Sequence, residues 1–368
     1  MESRRVTVLG AGNGGRTAAA ELSLGGHEVT LFEVPEFATG LAGIHAAGAI
    51  TAIGQISGIA PVRVELDLGS ALDGAEAILI VVPTNHHRAY ADMLAPLLVD
   101  GAHVVLMPGS LGSLDFVQTL RERGATVDVT VSEIAALPYA TRVTGPAEVT
   151  VHGRRRVVNV GVFPAERTEA VTPLLDDLYP GIDVMANVLA AGLSNPNPTL
   201  HCLGVLLSAS RIEYSHGEFY YYEEGMTPHV CQAIEAIDAE RLAIGRQFDI
   251  DLLSLKDTYP TMGYGPIGDT FWSVIRGVRA LNGIKGPAQV DSRYLTEDVP
   301  IGLTIYAELA RQVGLEPVLM ESVIHLTRAL LGTDFGDTPR TLERCGLAGM
   351  DRDAILAYVT TGSPPQPG

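Results

Sequence analysis

Lysine, cysteine and tryptophan are scarce in this chain of 368 residues. It has two lysines, Lys256 and Lys285, three cysteines and one tryptophan, and its acidic residues outnumber the basic ones by 43 to 25, for a formal net charge of −18. So acidic a chain is repelled by the phosphates of nucleic acids and by anionic lipids. We therefore predict small-molecule partners, with neither a nucleic acid nor a membrane among them.

The sequence also lacks the patterns of metal sites, disulfides and membrane segments. Cys202, Cys231 and Cys345 lie far apart, without a spacing typical of a metal site or a disulfide framework. No apolar run is long enough to span a bilayer, and the chain begins on a strand pattern rather than on a secretory signal. These absences predict a cytoplasmic protein in a reducing compartment, without a metal.

The clearest motif that is present occupies the first 33 residues. A short apolar strand over Arg5–Leu9 leads into the glycine-rich turn Gly10–Gly15, and an Ala/Leu-rich helix follows over Thr17–Leu24. A second strand, His27–Phe32, ends at Glu33. Strand, glycine turn, helix, strand and acid follow one another in the order of a dinucleotide-binding unit. The sequence therefore predicts an NAD site, and a glycine turn in some other α/β protein is the alternative.

The glycines have different roles in this prediction. Gly10 permits the tight turn, Gly12 lets the backbone approach a pyrophosphate, and Gly15 lets the helix pack closely on the strand. The N–H groups at the start of the helix then face the phosphates. The predicted pyrophosphate contacts are Gly10, Gly12, Asn13, Gly14 and Gly15.

Glu33 is predicted to bind the adenosine ribose. It follows Gly10 by 23 positions, near the spacing of about 20 that is typical of a carboxylate on the ribose hydroxyls. A carboxylate there repels a 2′-phosphate, and Val34 and Pro35 supply no arginine to hold one. NAD is therefore predicted in preference to NADP, and the alternative for Glu33 is a solvated strand end.

Two further strands end in short segments that are candidates for cofactor binding. The apolar run Ala77–Val82 is typical of a parallel strand buried on both faces, and His103–Met107 is predicted to form another strand. Ligands bind at the carboxyl ends of such strands. Unless they are ordinary turns, these ends supply further cofactor contacts at Val82, Pro83, Thr84, Pro108 and Gly109.

The pattern changes from strands to helices in the second half of the chain. Glu148–Val151 and Arg156–Phe163 are predicted to form an antiparallel hairpin, and helical periodicity dominates beyond about residue 183. The clearest predicted helices are Thr199–Tyr214, Pro228–Phe248, Thr304–Val313 and Val318–Leu331. We predict an α/β Rossmann-type nucleotide domain at residues 1–182, an all-α helical domain at 183–360 and a flexible tail at 361–368.

Two segments of the second half carry side chains suited to acid–base chemistry. In Asn195–His201 (NPNPTLH), Pro198 suits the first turn of a helix, so that His201 lies near its N-terminal end. The segment Arg293–Pro300 (RYLTEDVP) offers a guanidinium close to carboxylates. An imidazole can move protons near neutral pH, and a guanidinium can bind a substrate carboxylate.

The sequence resembles the octopine/nopaline dehydrogenase family, the opine dehydrogenases. The resemblance lies in the glycine turn and in four segments of the second half. These are Asn187–Arg211 (NVLAAGLSNPNPTLHCLGVLLSASR), Gly217–Gly225 (GEFYYYEEG), Ile237–Leu242 (IDAERL) and Arg293–Pro300. It implies a Rossmann domain followed by a helical domain, and an NADH-dependent reductive condensation of an amino acid or amine with a 2-oxo acid.

The resemblance also implies the catalytic residues. The family's histidine corresponds to His201, its partner aspartate to Asp298 and its arginine to Arg293. The chemistry agrees, because the carbinolamine formed from an amine and a ketone must lose water, and an imidazole steadied by a carboxylate is a suitable proton donor. The alternatives are a structural histidine and a pair between Arg293 and Glu297.

Asn195 and Tyr222 are further candidates for substrate binding. Asn195 is alternatively a turn former. Tyr222 belongs to the cluster Tyr220–Tyr222, whose alternatives are core packing and an interface. A homodimer through the helical domain is predicted from this cluster and from the apolar helices.

Two other functions are compatible with a nucleotide domain joined to helices. The first is reduction of a ketone or 2-oxo acid, as in ketopantoate reductase and glycerol-3-phosphate dehydrogenase. Those enzymes generally use a lysine, and of Lys256 and Lys285 the latter is the candidate for a substrate contact. The second is an NAD-binding sensor without turnover. NADH consumption by a 2-oxo acid alone indicates the first, and cofactor binding without turnover indicates the second.

Overall fold

The computed structural model describes residues 2–364, and their contacts divide into two compact units. The first consists of residues 2–192 together with Val359–Gly362, and the second of Leu193–Tyr358 with Ser363 and Pro364. The boundary predicted after residue 182 stays a prediction beside this division. Of the predicted tail, residues 365–368 lie outside the described residues.

The first unit is built on a large, mostly parallel sheet. The strands of this unit are β1 (Arg5–Leu9), β2 (Glu28–Phe32), β3 (Ala49–Gly54), β4 (Gly58–Pro61), β5 (Arg63–Glu65), β6 (Ala77–Ile80), β7 (Ala102–Leu106), β8 (Val129–Ile134), β9 (Tyr139–Gly145), β10 (Glu148–Arg154), β11 (Asn159–Phe163) and β12 (Asp183–Val184). Eight of them form one sheet in the order β12-β11-β8-β7-β6-β1-β2-β5. Neighbours from β8 to β5 are parallel, whereas β11 runs antiparallel to β8.

Helices follow most of the parallel strands, as the predicted Rossmann-type domain requires. They are α1 (Asn13–Leu24), α2 (Ala42–Ala47), α3 (Leu68–Leu72), α4 (His87–Leu94), α5 (Gly112–Glu122), α6 (Thr168–Leu178) and α7 (Val188–Leu193), which ends at the start of the second unit. Every residue of β6 is buried, as expected of a central parallel strand covered on both faces. The predicted α/β class of the first unit is therefore confirmed.

The predicted hairpin between Glu148–Val151 and Arg156–Phe163 is wrong. Strand β10 instead pairs antiparallel with β9 and parallel with β3, in a second sheet of order β4-β3-β10-β9. Strand β11 joins the large sheet beside β8, and its residues Val160–Phe163 are all buried. A strand that is apolar on both faces belongs in the middle of a covered sheet rather than in a surface hairpin.

The glycine turn after β1 is too tight for side chains at two positions. Gly10 has a φ of +101°, a conformation that L-residues rarely adopt. A Cβ on Gly15 would lie 1.8 Å from the carbonyl oxygen of Gly10. Both residues are therefore required by the turn itself and by the packing of α1 against it.

The second unit consists of helices and helical turns. Its α-helices are α8 (Asn197–Leu207), α9 (Ala209–Ser215), α10 (Pro228–Gln247), α11 (Leu255–Thr261), α12 (Phe271–Ile275), α13 (Arg293–Thr296), α14 (Thr304–Gln312), α15 (Val318–Leu331) and α16 (Arg352–Thr361), whose last residues belong to the first unit. The predicted helical domain is confirmed. None of the helices in residues 2–364 combines the length and apolarity needed to cross a bilayer.

Three of the predicted helices are confirmed almost to the residue, and one is not. Helices α10, α14 and α15 match the predicted ranges within one residue. The single helix predicted over Thr199–Tyr214 is two helices, α8 and α9, separated at Ser208, where φ is −102° and ψ is 4°. Apolar periodicity alone did not reveal this break, because the apolar residues continue on both sides of it.

A buried ion pair anchors α10 within the helical unit. Arg241 and Asp238, from the IDAERL segment, form a salt bridge of 2.7 Å and are both buried. Arg241 also donates to the carbonyl oxygens of Leu193 and Leu253, and Asp238 accepts from the Leu255 N–H. The pair is therefore fully hydrogen-bonded, as a buried pair must be to be tolerated.

Gly12 and Gly15 differ in the space around them, and this difference gives a prediction about the stability of the fold. Gly15→Ala is expected to lower the free energy of unfolding by about 3 kcal/mol, because the backbone at Gly10 must move. In the matched variant Gly12→Ala, the added Cβ meets no atom within 4 Å, and the expected loss is below about 1 kcal/mol. Urea unfolding of the whole chain, followed by circular dichroism, measures both, and equal losses would contradict the role assigned to Gly15.

Candidate active site

In the first unit, the carboxyl ends of three neighbouring strands meet at one edge of the sheet. Strands β7, β6 and β1 are adjacent and parallel, so that the segments after them lie side by side. These segments are the glycine turn Gly10–Gly15, Val82–Thr84 and Pro108–Gly109. The structure thus brings the predicted cofactor contacts to the edge at which open α/β sheets bind ligands.

The glycine turn leaves space suited to a dinucleotide pyrophosphate. A Cβ on Gly12 would point into open space, and α1 begins at Asn13 without a side-chain cap. Its first N–H groups are therefore available to an anion. The Asn13 side chain is engaged elsewhere, since its Oδ1 accepts from the Val143 N–H at 2.8 Å. The backbone, rather than this side chain, is what the turn offers to a phosphate.

Glu33 is attached to the glycine turn. Its Oε2 accepts from the Ala11 N–H at 2.7 Å, and its Oε1 accepts from the Val34 N–H at 2.9 Å. The residue is buried at the carboxyl end of β2, so it is not the solvated strand end considered as the alternative. The sequence placed Glu33 beside the turn but did not predict that its carboxylate helps to hold the turn in place.

A buried carboxylate that sequence analysis missed organises the segment after β7. Glu133 is completely buried, and it accepts from the Leu111 N–H at 3.0 Å, the Ser113 N–H at 3.1 Å and the Ser113 Oγ at 2.7 Å. These bonds fix the backbone between Gly109 and the start of α5. An acidic residue beside the apolar residues of the strand Val129–Ile134 was the signal that could have revealed this buried carboxylate.

In the second unit, His201 is hydrogen-bonded through both ring nitrogens. Its Nδ1 lies 2.8 Å from Asp298 Oδ2, and its Nε2 lies 3.2 Å from Tyr222 Oη. The side chain of Asp298 is 14% exposed and that of His201 is 7% exposed. Because an ionised carboxylate can only accept, Nδ1 of the neutral ring donates to Asp298, and Nε2 accepts from the Tyr222 hydroxyl.

Close packing of two short segments places Asp298 beside His201. His201 lies in the N-terminal half of α8, and Asp298 opens a π-helical turn, Asp298–Leu303. A Cβ on Gly302 would lie 2.2 Å from Pro198 Cγ, so that this glycine allows the turn to pack directly on the start of α8. Residues 97 positions apart in the chain are brought into hydrogen-bond contact in this way.

Tyrosine rings surround the imidazole. The Tyr294 ring lies 4.2 Å from that of His201 and stacks on Tyr221 at 5.6 Å, and Tyr221 meets Tyr222 edge-on at 4.9 Å. Tyr222 lies in a second π-helical turn, Tyr221–Gly225, a geometry often found at functional sites. Tyr221 and Tyr222 are buried, so their rings pack in the core while the Tyr222 hydroxyl faces the histidine.

Arg293 and Asn195 lie in different environments. Arg293 begins α13 immediately before Tyr294, and its side chain is exposed. The hydrogen bonds and ion pairs of residues 2–364 do not engage its guanidinium. Asn195 is buried, and its Oδ1 accepts from the Asn197 N–H at 3.1 Å. This bond is the turn-forming role considered as the alternative for Asn195.

Two family models match separate parts of the chain. Residues 184–331 match the alpha-helical domain of NAD/NADP octopine/nopaline dehydrogenase. Residues 5–113 match the N-terminus of NAD-dependent glycerol-3-phosphate dehydrogenase. The second match is confined to the first unit and supports a nicotinamide cofactor. Only the first match covers the helical unit.

Solved structures of opine dehydrogenases share the fold of this chain. Octopine dehydrogenase in complex with NADH and agmatine has 19% sequence identity, covers 100% of both chains and gives a TM-score of 0.76. Other structures of that enzyme contain NADH with L-arginine or with pyruvate. Yersinopine dehydrogenase bound to NADP+ has 16% identity and a TM-score of 0.69, with coverage of 97% of this chain and 98% of the other.

A curated relative extends the match to nearly the full length at higher identity. The chain is 36% identical to the opine dehydrogenase of Arthrobacter sp. (strain 1C) over 362 residues, which cover 98% of this chain and 99% of the relative. The match includes both the glycine turn and the helical segments around His201 and Asp298. The chain therefore belongs to the opine dehydrogenase family, which are nicotinamide-dependent oxidoreductases that act on CH–NH groups.

Proposed function

We propose that this enzyme condenses an amino acid or amine with a 2-oxo acid and reduces the resulting imine to a secondary amine. The observation that carries the proposal is the hydrogen bond of 2.8 Å between His201 Nδ1 and Asp298 Oδ2. It gives a buried imidazole a fixed tautomer and a partner that stabilises its protonated form. Condensation of an amine with a ketone needs such a group, because it requires proton transfer in both directions.

In this proposal, His201 accounts for both proton transfers of the condensation. It takes a proton from the ammonium form of the amine, and the free amine then attacks the carbonyl carbon. A proton passes from the attacking nitrogen to the carbonyl oxygen, which gives the neutral carbinolamine. It later supplies the proton that the carbinolamine hydroxyl gains as it leaves as water, while the nitrogen lone pair forms the C=N bond. The two transfers balance, so that His201 ends as it began. Asp298 stabilises the imidazolium that exists between them.

Three other side chains complete the proposed substrate site. Arg293 offers an exposed guanidinium next to Tyr294, whose ring lies against His201, and a guanidinium binds a carboxylate through two parallel hydrogen bonds. Tyr222 is proposed to contact the substrate through its hydroxyl. Asn195 is proposed to act at the start of α8, where its side chain also forms the turn. The amine and pyruvate bound by octopine dehydrogenase support this choice of substrate classes.

The proposed cofactor is NADH, which supplies the hydride that reduces the C=N carbon. The backbone of Gly10–Gly15 would hold its pyrophosphate, and Glu33 its adenosine ribose. The segments Val82–Thr84 and Pro108–Gly109 would contact its nicotinamide half. The carboxylate of Glu33 disfavours a 2′-phosphate by charge repulsion, which supports NAD over the NADP+ that yersinopine dehydrogenase binds.

The competing reduction of a simple ketone has no support from the lysines. Lys285 is on the surface and pairs with Glu218, and neither lysine contacts His201 or Asp298 in the described residues.

The proposed homodimer and cytoplasmic location stay predictions. Exposed apolar side chains on α15, among them Leu326 and Leu330, support a contact through the helical unit.

A matrix of amines and 2-oxo acids tests the proposed reaction. NADH oxidation is expected to require both partners, and mass spectrometry of the product is expected to show the sum of the two substrates minus one oxygen atom. Oxidation of NADH by a 2-oxo acid alone, with a 2-hydroxy acid as the product, would contradict the proposal in favour of ketone reduction. Cofactor binding without turnover for any pair would indicate a sensor.

His201→Asn is expected to separate turnover from cofactor binding. Loss of the proton-transfer group should lower kcat at least about 100-fold, whereas the Kd for NADH, measured by fluorescence, should change less than about twofold. His229→Asn, at an exposed histidine of the same unit, is the matched control and should retain the kcat of the native enzyme. A loss of NADH affinity in His201→Asn would show that this residue has been misassigned.

Glu33→Gln removes the charge that is proposed to select NADH, while keeping an oxygen that can accept from Ala11. The ratio of kcat/KM for NADH to that for NADPH is expected to fall at least about tenfold, a change of about 1.4 kcal/mol. Glu65→Gln makes the same charge change at the end of the adjacent strand β5 and is expected to leave the ratio alone. Equal ratios in the native and Glu33→Gln enzymes would remove Glu33 from cofactor selection.

A further inference from the structure

We propose that the Tyr222 hydroxyl, rather than the imidazole of His201, delivers the proton to the leaving hydroxyl of the carbinolamine. This inference rests on the proposed reaction and adds a second proton-transfer group to it. Tyr222 then becomes a catalytic residue, because its phenol contacts the reacting oxygen. His201 serves as the group that supplies and recovers the proton behind it.

Both ring nitrogens of His201 are occupied by protein groups. Nδ1 bonds to Asp298 at 2.8 Å, and Nε2 bonds to Tyr222 Oη at 3.2 Å. An imidazole has no other atom that can donate or accept a proton. In this arrangement, a proton that leaves His201 for the substrate leaves through Nε2, and the atom that Nε2 contacts is the phenol oxygen.

Packing holds the phenol of Tyr222 in place beside His201. The residue is 7% exposed, its ring meets Tyr221 edge-on, and its backbone belongs to the π-helical turn Tyr221–Gly225. Tyr221 is itself fixed, since its hydroxyl donates to the His201 carbonyl oxygen at 3.2 Å and its ring stacks on Tyr294. A displacement of the phenol to expose Nε2 would disturb all of these contacts.

The surroundings of the Tyr222 phenol favour its protonated form. Burial, and to a lesser extent the neighbouring phenol of Tyr294, raise the pKa of Tyr222 well above its ordinary value. Tyr222 therefore keeps its proton in the resting enzyme. It is suited to pass a proton on while receiving another and unsuited to persist as a phenolate, which is the behaviour required of a relay rather than of a base.

The step balances as a concerted double transfer. The Nε2–H bond of the imidazolium breaks and a new O–H bond forms at Tyr222 Oη, while the original O–H bond of Tyr222 breaks and its proton moves to the carbinolamine oxygen. That oxygen leaves as water with its C–O bond pair, and the nitrogen lone pair forms the C=N bond. The positive charge passes from His201 to the iminium, and Tyr222 is neutral before and after.

Tyr222→Phe tests the relay, because it removes the hydroxyl and keeps the ring. The kcat is expected to fall about 100-fold, within the range for loss of an acid–base group, with the KM for the 2-oxo acid within about threefold. Loss of water should then limit the rate. The primary isotope effect from NADH deuterated at the transferred position should fall towards one, and the solvent isotope effect in D2O should rise.

Tyr221→Phe is the matched control, since it also removes a buried hydroxyl beside His201. The Tyr221 hydroxyl bonds to the backbone carbonyl oxygen of His201 and to neither of its ring nitrogens. It should lose less than about fivefold in kcat and keep the native isotope effects. Replacement of Tyr222 by 3,5-difluorotyrosine keeps a hydroxyl at the site and should restore at least about a tenth of the native kcat. That recovery separates loss of the relay from misfolding.

Two results would overturn the relay while leaving the proposed function intact. One is a kcat of Tyr222→Phe within about threefold of the native value. The other is a lower kcat with an undiminished primary isotope effect, which would mean that Tyr222 only positions the substrate for hydride transfer. Absence of amine-dependent NADH oxidation in the native enzyme would instead remove the proposed reaction, and the relay with it.

Discussion

The hydrogen bond between His201 and Asp298 is the interaction on which the chemistry proposed for the helical unit depends. A neutral imidazole can carry its proton on either nitrogen, and a carboxylate on Nδ1 selects one of these states. That selection leaves the Nε2 lone pair facing Tyr222. Gly302 allows the π-helical turn to pack on Pro198, and the same turn places Asp298 within hydrogen-bond distance of Nδ1.

Buried carboxylates also hold neighbouring groups in place in the first unit. They bond to backbone segments there, whereas Asp298 bonds to the imidazole ring of His201. Glu33 accepts from the glycine turn after β1, and Glu133 accepts from the segment after β7. Each is buried, and each has its oxygens bonded to N–H or O–H donors, so the cost of removing the charge from water is offset. Two segments at the carboxyl edge of the sheet are thereby held in place by buried carboxylates.

The sequence predicted those parts of the molecule in which local pattern and final environment agree. The glycine turn, the buried strand β6 and the long helices α10, α14 and α15 each carry a periodicity that tertiary packing does not override. The hairpin predicted between Glu148–Val151 and Arg156–Phe163 was wrong because strands adjacent in the chain were expected to pair, whereas β11 belongs to the large sheet. The single helix predicted over Thr199–Tyr214 was wrong because apolar spacing continues across the break at Ser208.

The site was predictable to a more limited extent. Asp298 was connected to His201 by resemblance to a family, since residues 97 positions apart leave no local pattern. The hydrogen bonds from Glu133 to the segment after β7 were not predicted, although a carboxylate within an apolar stretch is a signal for a buried, hydrogen-bonded charge. The bond from Tyr222 to Nε2 depends on the ring's orientation and on a π-helical turn, neither of which sequence spacing specifies.

Nitrogen-15 NMR of the enzyme with labelled histidine tests the central interaction most directly. The His201 signals can be assigned by comparison with the spectrum of His201→Gln. For the neutral ring, we expect a proton on Nδ1, with chemical shifts typical of a hydrogen bond to a carboxylate, and an unprotonated Nε2. A neutral ring with its proton on Nε2 would contradict the arrangement of Asp298, His201 and Tyr222 from which the proposed chemistry follows.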